Sequence, residues 1–470
     1  MDDKLYDKIP SNLYPENEVQ GALITTPVFR PMQDFTDWGG WWFAQELTSD
    51  EMVCPTRHTD WDDGGKWRVL HQHTWTNTTE AIAAMWGRFY EGIGVANQVI
   101  EGFEGTTDDP EIAKTIAKVK IMRAYYYYLL IDNYGNVPYV TSFSSAPKQP
   151  SATDRKDIFE AIVEEIETNI PFLSSSASKT GVTKGMAFSL LAKLYLNAEV
   201  YTGTPQWEKA ENMCDSVINL GIYSLESNPL GPFITDNTFS PENIFVIPYD
   251  EDTYKGFNLH RRTLHYNHNL TFKLKAAAWN GFAAMEDHYN TYSDDDLRKE
   301  GFLVGQQYAF DGKKIIDIDA GTELILDPHI PALVMDASYT PQEIRMSGAI
   351  VVKFEVKIGG KGDLSNDYPI FRYGDILLMK AESMIRQGKN GDNYVNEIRS
   401  RAGISNLNNV DLDMLLEERG REMFWEGHRR QDLIRFDKFN DSWWEKSTSS
   451  PDRNVFPIPQ WVIDSNPNLG

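Results

Sequence analysis

The chain has 470 residues, 41% of them hydrophobic, enough to build a sizeable core and to exclude a globally disordered protein. Its 45 Lys and Arg stand against 69 Asp and Glu, a net charge of −24, and so acidic a surface repels phosphate backbones and argues against nucleic acid as a partner. Two cysteines, Cys54 and Cys214, make neither a disulfide framework nor a metal knuckle, and no apolar run is long enough to span a bilayer.

In chain order, Trp38, Trp41, Trp42 and Phe43 read as part of a helix and the core. Between Leu47 and Trp75 come Asp50, Arg57, Trp61, Trp67, Arg68 and His71 in a Gly- and Thr-rich context. Neither a helical nor a strand period gathers the three tryptophans into one stripe. Residues 80–132 read as two helices. The second carries Ala113, Ala117, Ile121, Ala124, Tyr128 and Ile131 at helical spacing and stops at Gly135 and Pro138. A Ser- and Pro-rich loop at 141–152 precedes a helix with Ile158, Ile162, Ile166 and Ile170 inward. Thr183 is placed to cap the next helix, with Ala187, Leu190, Leu194 and Ala198 inward, and Trp207, Ala210, Cys214 and Val217 repeat the pattern. In such a stripe Cys214 acts as a small hydrophobe. These are helix pairs joined by short loops, similar to tetratricopeptide repeats but of irregular period.

From 222 to 370 the periodicity fades, and Gly, Pro, Asn and Tyr rise. Short β-like runs appear at 244–247 and 350–354. A helix returns at Tyr373, Ile376, Lys380 and Met384, closed by Gly388, and another covers roughly 392–401. The stretch from Glu417 to Phe436 packs acids, arginines and aromatics at helical spacing, so that Arg419, Glu422, Glu426, Arg429 and Asp432 can share one face. The expected architecture is one mainly α domain over 1–470. A helical scaffold at about 35–221 and 371–445 carries an irregular insertion at about 222–370, with few short strands.

Four segments give the chain a resemblance to the SusD/RagB family. They are Arg123-Ala124 through Leu130 with Tyr134-Gly135-Asn136-Val137-Pro138; Thr183-Lys184-Gly185 through Asn197; Arg372-Tyr373-Gly374-Asp375 through Glu382; and Glu417 through Phe436, followed by Phe456-Pro457-Ile458-Pro459 and Asn466-Pro467-Asn468-Leu469-Gly470. The resemblance implies a SusD-like fold and a non-catalytic protein without a cofactor. It would capture an oligo- or polysaccharide at the cell surface and deliver it to a SusC-like TonB-dependent outer-membrane transporter. It also implies an outer-membrane lipoprotein touching the membrane only through its lipid anchor. The opening Met1-Asp2-Asp3-Lys4 lacks the apolar region of a signal peptide and by itself reads as cytoplasmic. On the resemblance, signal and anchor cysteine would precede it.

The C-terminal acids could be argued as an acid–base site, with Glu422, Glu426, Asp432 and His428 as candidates. A glycosidase needs one carboxyl with a raised pKa, whereas an arginine within a helical turn of each acid lowers it. An ion-pair network locking the last helices is the better reading. Ser176 to Gly181 mimics two penicillin-binding strings that share one lysine, and Gly359-Gly360-Lys361-Gly362 lacks P-loop spacing. Histidines cluster at His71/His73 and at His260, His265 and His268, but the His-x-His pair lacks a third ligand nearby, and Asp60, Asp62 and Asp63 fail the calcium-loop pattern, so no metal site is expected.

The aperiodic aromatics fit sugar binding better. A sugar offers an apolar C–H face to an indole and hydroxyl edges to polar groups. The candidate ligand-binding residues are Asp50, Arg57, Trp61, Trp67, Arg68 and Trp75, then Trp279 and Asn280 beside Gly281, and Tyr308. Two alternatives stand: a glycoside hydrolase with its carboxylates in the insertion, and a helical-repeat scaffold for proteins, in which these tryptophans would be buried.

Overall fold

The computed structural model describes residues 18–37, 40–103 and 108–470; Trp38 lies outside them. Helix α1 (Glu18–Phe29) is followed by α2 (Trp41–Leu47), α3 (Glu80–Gly102) and α4 (Pro110–Tyr134). Asp109 caps α4 by accepting from the Glu111 and Ile112 amides, and Pro110 supplies the first helical residue. Helix α4 packs against α1, α3 and α5 (Arg155–Asn169), so its second half is buried all round and not on the single face its period suggests. Of the four consecutive buried tyrosines Tyr125–Tyr128, Tyr126 donates to the Val28 carbonyl, Tyr127 donates to the Val140 carbonyl and Tyr128 accepts from Gln431.

Helix α5 stops one residue before Ile170, because Pro171 turns the chain into a 3₁₀ segment, Ile170–Phe172. Thr183 accepts from the Met186 amide at the start of α6 (Lys184–Leu196), which pairs with α7 (Trp207–Asn219). Helix α8 (Tyr373–Arg386) packs on α7 and on α9 (Asp392–Arg401), and α10 (Leu412–Met423) packs on α8. The fold is mainly α, built of helix pairs with few short strands. No described helix is long and apolar enough to cross a membrane. Both cysteines are buried as free thiols.

The C-terminal block is not one helix. Met423 ends α10, Trp425 and Gly427 take positive φ of 68° and 76°, and α11 (Arg429–Arg435) starts afresh. The acids therefore find cations across the fold as well as along their own helix, where Arg421 bonds Glu418 and Arg435 bonds Asp432. Arg372 bonds Glu422, Glu426 and Glu242; Arg298 bonds Asp296, Glu418 and Glu422; Arg419 and Arg435 share Asp432. Burial pushes the Glu422 pKa up, but Arg401, Arg372 and Arg298 outweigh it and hold the carboxyl well below its ordinary range. His428 lies 2.9 Å from the Lys193 Nζ, and burial together with that ammonium pushes its pKa down to about 3.

Strand pairs hold the insertion to the rest of the chain. β1 (Met52–Val53) runs antiparallel to β4 (Ala283–Ala284), and β2 (Thr56–Arg57) runs parallel to β5 (Val334–Met335). β3 (Asn243–Ile247) pairs antiparallel with β6 (Tyr368–Arg372), closing the excursion near its two ends. These contacts set the segment after α2 directly against the middle of the insertion.

Candidate functional site

The loop after β2 is tightly wound. His58, Trp61 and Asp63 all have positive φ, as does Asn280 on the facing segment. Side chains rarely adopt such backbone, at a cost of about 1–3 kcal/mol each, and clusters of it mark places where geometry is imposed by something other than local preference. Here the two strained segments interlock. The Trp61 indole donates to the Trp279 carbonyl at 2.7 Å. Gly281 leaves room for that indole, since a Cβ there would run into the ring.

Two aromatic rings flank the junction, each backed by a guanidinium. Arg261 lies over half-buried Trp279 at 4.0 Å from the ring centroid and is held by donation from Nε to the Ala277 carbonyl. Arg345 lies over half-buried Tyr266 at 4.7 Å. Arg345 is fixed in turn by Asp317 at 2.6 Å and Asp319 at 3.1 Å. Buried Asp317 also faces His265 Nε2 at 3.2 Å. Burial works to raise the Asp317 pKa, but His265 and Arg345 outweigh it and hold the carboxyl well below its ordinary range. The Tyr266 hydroxyl donates to exposed Asp60 at 2.6 Å. Arg68 reaches Asp62 at 2.6 Å and the Thr56 hydroxyl at 2.5 Å. The result is a pair of partly open, rigidly held rings edged by carboxylates and guanidiniums.

Some residues expected at the site from sequence are elsewhere. Trp67 and Trp75 are each 2% exposed and pack in the main core, Trp67 against Phe43 and Phe282, Trp75 against Phe456. They present no face to a ligand. Trp61 is 9% exposed and supports the site from beneath. Asp50 is clamped by Arg429 at 2.7 and 2.8 Å, in the C-terminal ion-pair system. Arg57 is buried, its guanidinium spent on the Ile344 carbonyl and on Ser347, and burial lowers its pKa to about 10. Asn280 is buried and donates to the Arg345 carbonyl at 2.8 Å, so it helps seat Arg345. Trp279 is one of the two rings, and Arg68 lies on the neighbouring segment, paired with Asp62. Tyr308 is 49% exposed on the outer flank, where its carbonyl accepts from Thr271.

Tyr266, Arg345, Asp317 and Asp60 were not among the expected ligand residues. Tyr266, thirteen positions before Trp279, sits among His265, Asn267 and His268, a polar aromatic run that could have pointed to it. The histidines bond within the fold: His71 to the Trp444 carbonyl, His73 to the Thr48 carbonyl, His268 to Gln307. Among the described residues no group of three or more His, Cys, Asp or Glu is arranged to hold a metal ion.

Comparison with known proteins bears on the whole chain. Residues 43–196 match a family described as starch-binding, associating with outer membrane, and residues 336–470 match the SusD family. The starch-binding protein SusD of Bacteroides thetaiotaomicron is 25% identical over 91% of this chain and 83% of its own length. A SusD superfamily protein from Parabacteroides distasonis superposes with a TM-score of 0.79 at 18% identity, covering 97% of this chain and 99% of that one. Surface glycan-binding protein A from Bacteroides thetaiotaomicron, solved with laminarihexaose, superposes with a TM-score of 0.77 at 21% identity, covering 95% and 97%.

Proposed function

The chain belongs to the SusD family, and on that premise we propose that it captures an oligo- or polysaccharide at the outer face of the outer membrane without cleaving it. The observation that carries this reading is the pair of rings, Tyr266 and Trp279, each held flat by an arginine and edged by polar groups. A sugar ring laid on each would stack its C–H face on the aromatic surface. Asp60, Arg68 and Asp319 would meet its hydroxyls. The backing arginines keep both rings oriented before the ligand arrives, which lowers the ordering cost of binding. Burying roughly 80 Å² of sugar and ring surface per stack at about 25 cal/mol per Å² gives about 2 kcal/mol, roughly thirtyfold in Kd. Two stacks therefore favour modest affinity.

Capture without turnover is supported by the pairing of the site's buried carboxylate. Asp317 is held ionised by Arg345 and His265, whereas a glycosidase needs a protonated acid. The relatives, named for starch and glycan binding, support the same reading. We extend it to delivery into a SusC-like TonB-dependent transporter, with the protein lipid-anchored beside it. The helical scaffold and insertion would move as one domain, since strand pairs and a shared core join them.

Affinity electrophoresis against a glycan panel tests the proposal. The wild type is retarded by at least one glycan, Tyr266→Ala and Trp279→Ala lose that retardation while staying folded by circular dichroism, and no reducing ends appear on long incubation. Retardation that survives both substitutions would move the site elsewhere, and released reducing ends would make the protein an enzyme.

A further inference from the structure

Resting on the capture reading, the charges around the two rings narrow the ligand class. We propose that the site selects neutral glycans and rejects those bearing uronate or sulfate groups. Recognition of a carboxylate or sulfate calls for a guanidinium presenting two parallel N–H groups to the ligand. At these rings the guanidiniums are already paired with carboxylates, buried, or laid against an aromatic ring. Arg345 bonds Asp317 and Asp319, Arg68 bonds Asp62 and Thr56, and Arg57 is buried against the Ile344 and Ser347 carbonyls. Arg261 lies flat on Trp279 with its Nε occupied by the Ala277 carbonyl.

What the site turns to solvent is carboxylate. Asp60 and Asp63 are exposed, the Asp62 side chain is 51% exposed and that of Asp319 74%. Ionised carboxylates accept hydrogen bonds and donate none. A neutral sugar brings hydroxyl donors that they can bind. A uronate or sulfate oxygen brings a second acceptor of the same charge, set against a chain whose net charge is already −24.

The test compares each neutral polysaccharide retained by the protein with its own oxidised (uronate) or sulfated derivative, by isothermal titration in low and high salt. We expect the derivative to bind at least tenfold more weakly at 20 mM salt, with the gap narrowing at 500 mM as charge is screened. Asp319→Asn, which frees one arm of Arg345, should raise the affinity for the sulfated derivative severalfold relative to the parent glycan. A native anionic glycan bound more tightly than any neutral one, or a derivative that binds as well as its parent, overturns the selection rule and leaves the capture reading intact. Retention of no glycan at all removes the capture reading, and this rule with it.

Discussion

Arg372 grips Glu426 with a closed fork, Nε to one carboxylate oxygen at 2.6 Å and Nη2 to the other at 2.8 Å, with both side chains buried. Such a pair is specified by geometry as much as by charge, and removing one member leaves the other charged in a dry core. Arg372→Ala is expected to cost about 3–5 kcal/mol, read from urea unfolding. Arg372→Lys should recover little of this, because an ammonium cannot supply the fork that also holds Glu422 and Glu242.

Glu46 gives the protein a pH dependence of opposite sign to the usual carboxylate. It is 1% exposed and accepts from the Gly427 amide, and burial, only partly offset by that bond and by Lys353, raises its pKa to about 8. The folded state thus holds this proton more tightly than the unfolded chain. The associated stability is fully present below about pH 4.5 and is lost as pH rises through about 8. Denaturation midpoints should fall across that window. In Glu46→Gln, which keeps the acceptor for Gly427, the fall should be shallower; an unchanged slope would assign it to other groups.

The buried and half-buried tryptophans should separate cleanly. Trp67→Ala opens a cavity in the core and is expected to cost about 3–5 kcal/mol. Trp279→Ala should unfold within about 1 kcal/mol of the wild type in the same urea series, while its glycan retention is lost.

Asp317 is expected to act on binding through Arg345. Asp317→Asn removes the charge that fixes the guanidinium over Tyr266, so affinity should drop about tenfold, the equivalent of about 1.4 kcal/mol. Tyr266→Phe, which keeps the ring and removes the bond to Asp60, should lose less than Tyr266→Ala when the three are compared by titration.

Gly281→Ala tests the interlock itself. The new methyl meets the Trp61 indole, and overpacking of this kind costs about 1–3 kcal/mol. Since Trp61 holds the Trp279 carbonyl, retention should weaken along with thermal stability.

The helices were legible in the sequence because each buries a stripe long enough to repeat. Ile158, Ile162 and Ile166 show the period that α5 uses, and Thr183 caps α6 as its short polar side chain predicts. The ion-pair role of the C-terminal block was legible too, as were its neighbours within one turn, Arg421 to Glu418 and Arg435 to Asp432, but not its distant partners. Arg298 and Arg372 lie 124 and 50 positions before Glu422, and a helical-neighbour rule cannot reach them. Trp67 and Trp75 were misread for a related reason. They flank a four-residue helix, Arg68–His71, and no period can register on one turn, so buried side chains there look as irregular as exposed ones. Tyr266 and Trp279 fall between the two stretches that match known families, in a segment whose partnerships are set by strand pairs hundreds of residues apart.

The pairing of residues 52–57 with 283–284 and 334–335 has a kinetic consequence. Arg57 meets the Ile344 carbonyl across 287 positions of chain, and Tyr266 meets Asp60 across 206. Contacts of such range form only after the intervening loop has been closed, late in assembly. The surface proposed for recognition therefore has no partially folded precursor. During refolding, glycan retention should return only with the slowest phase, after the helical signal is largely restored, so that ligand capture reports completion of the fold.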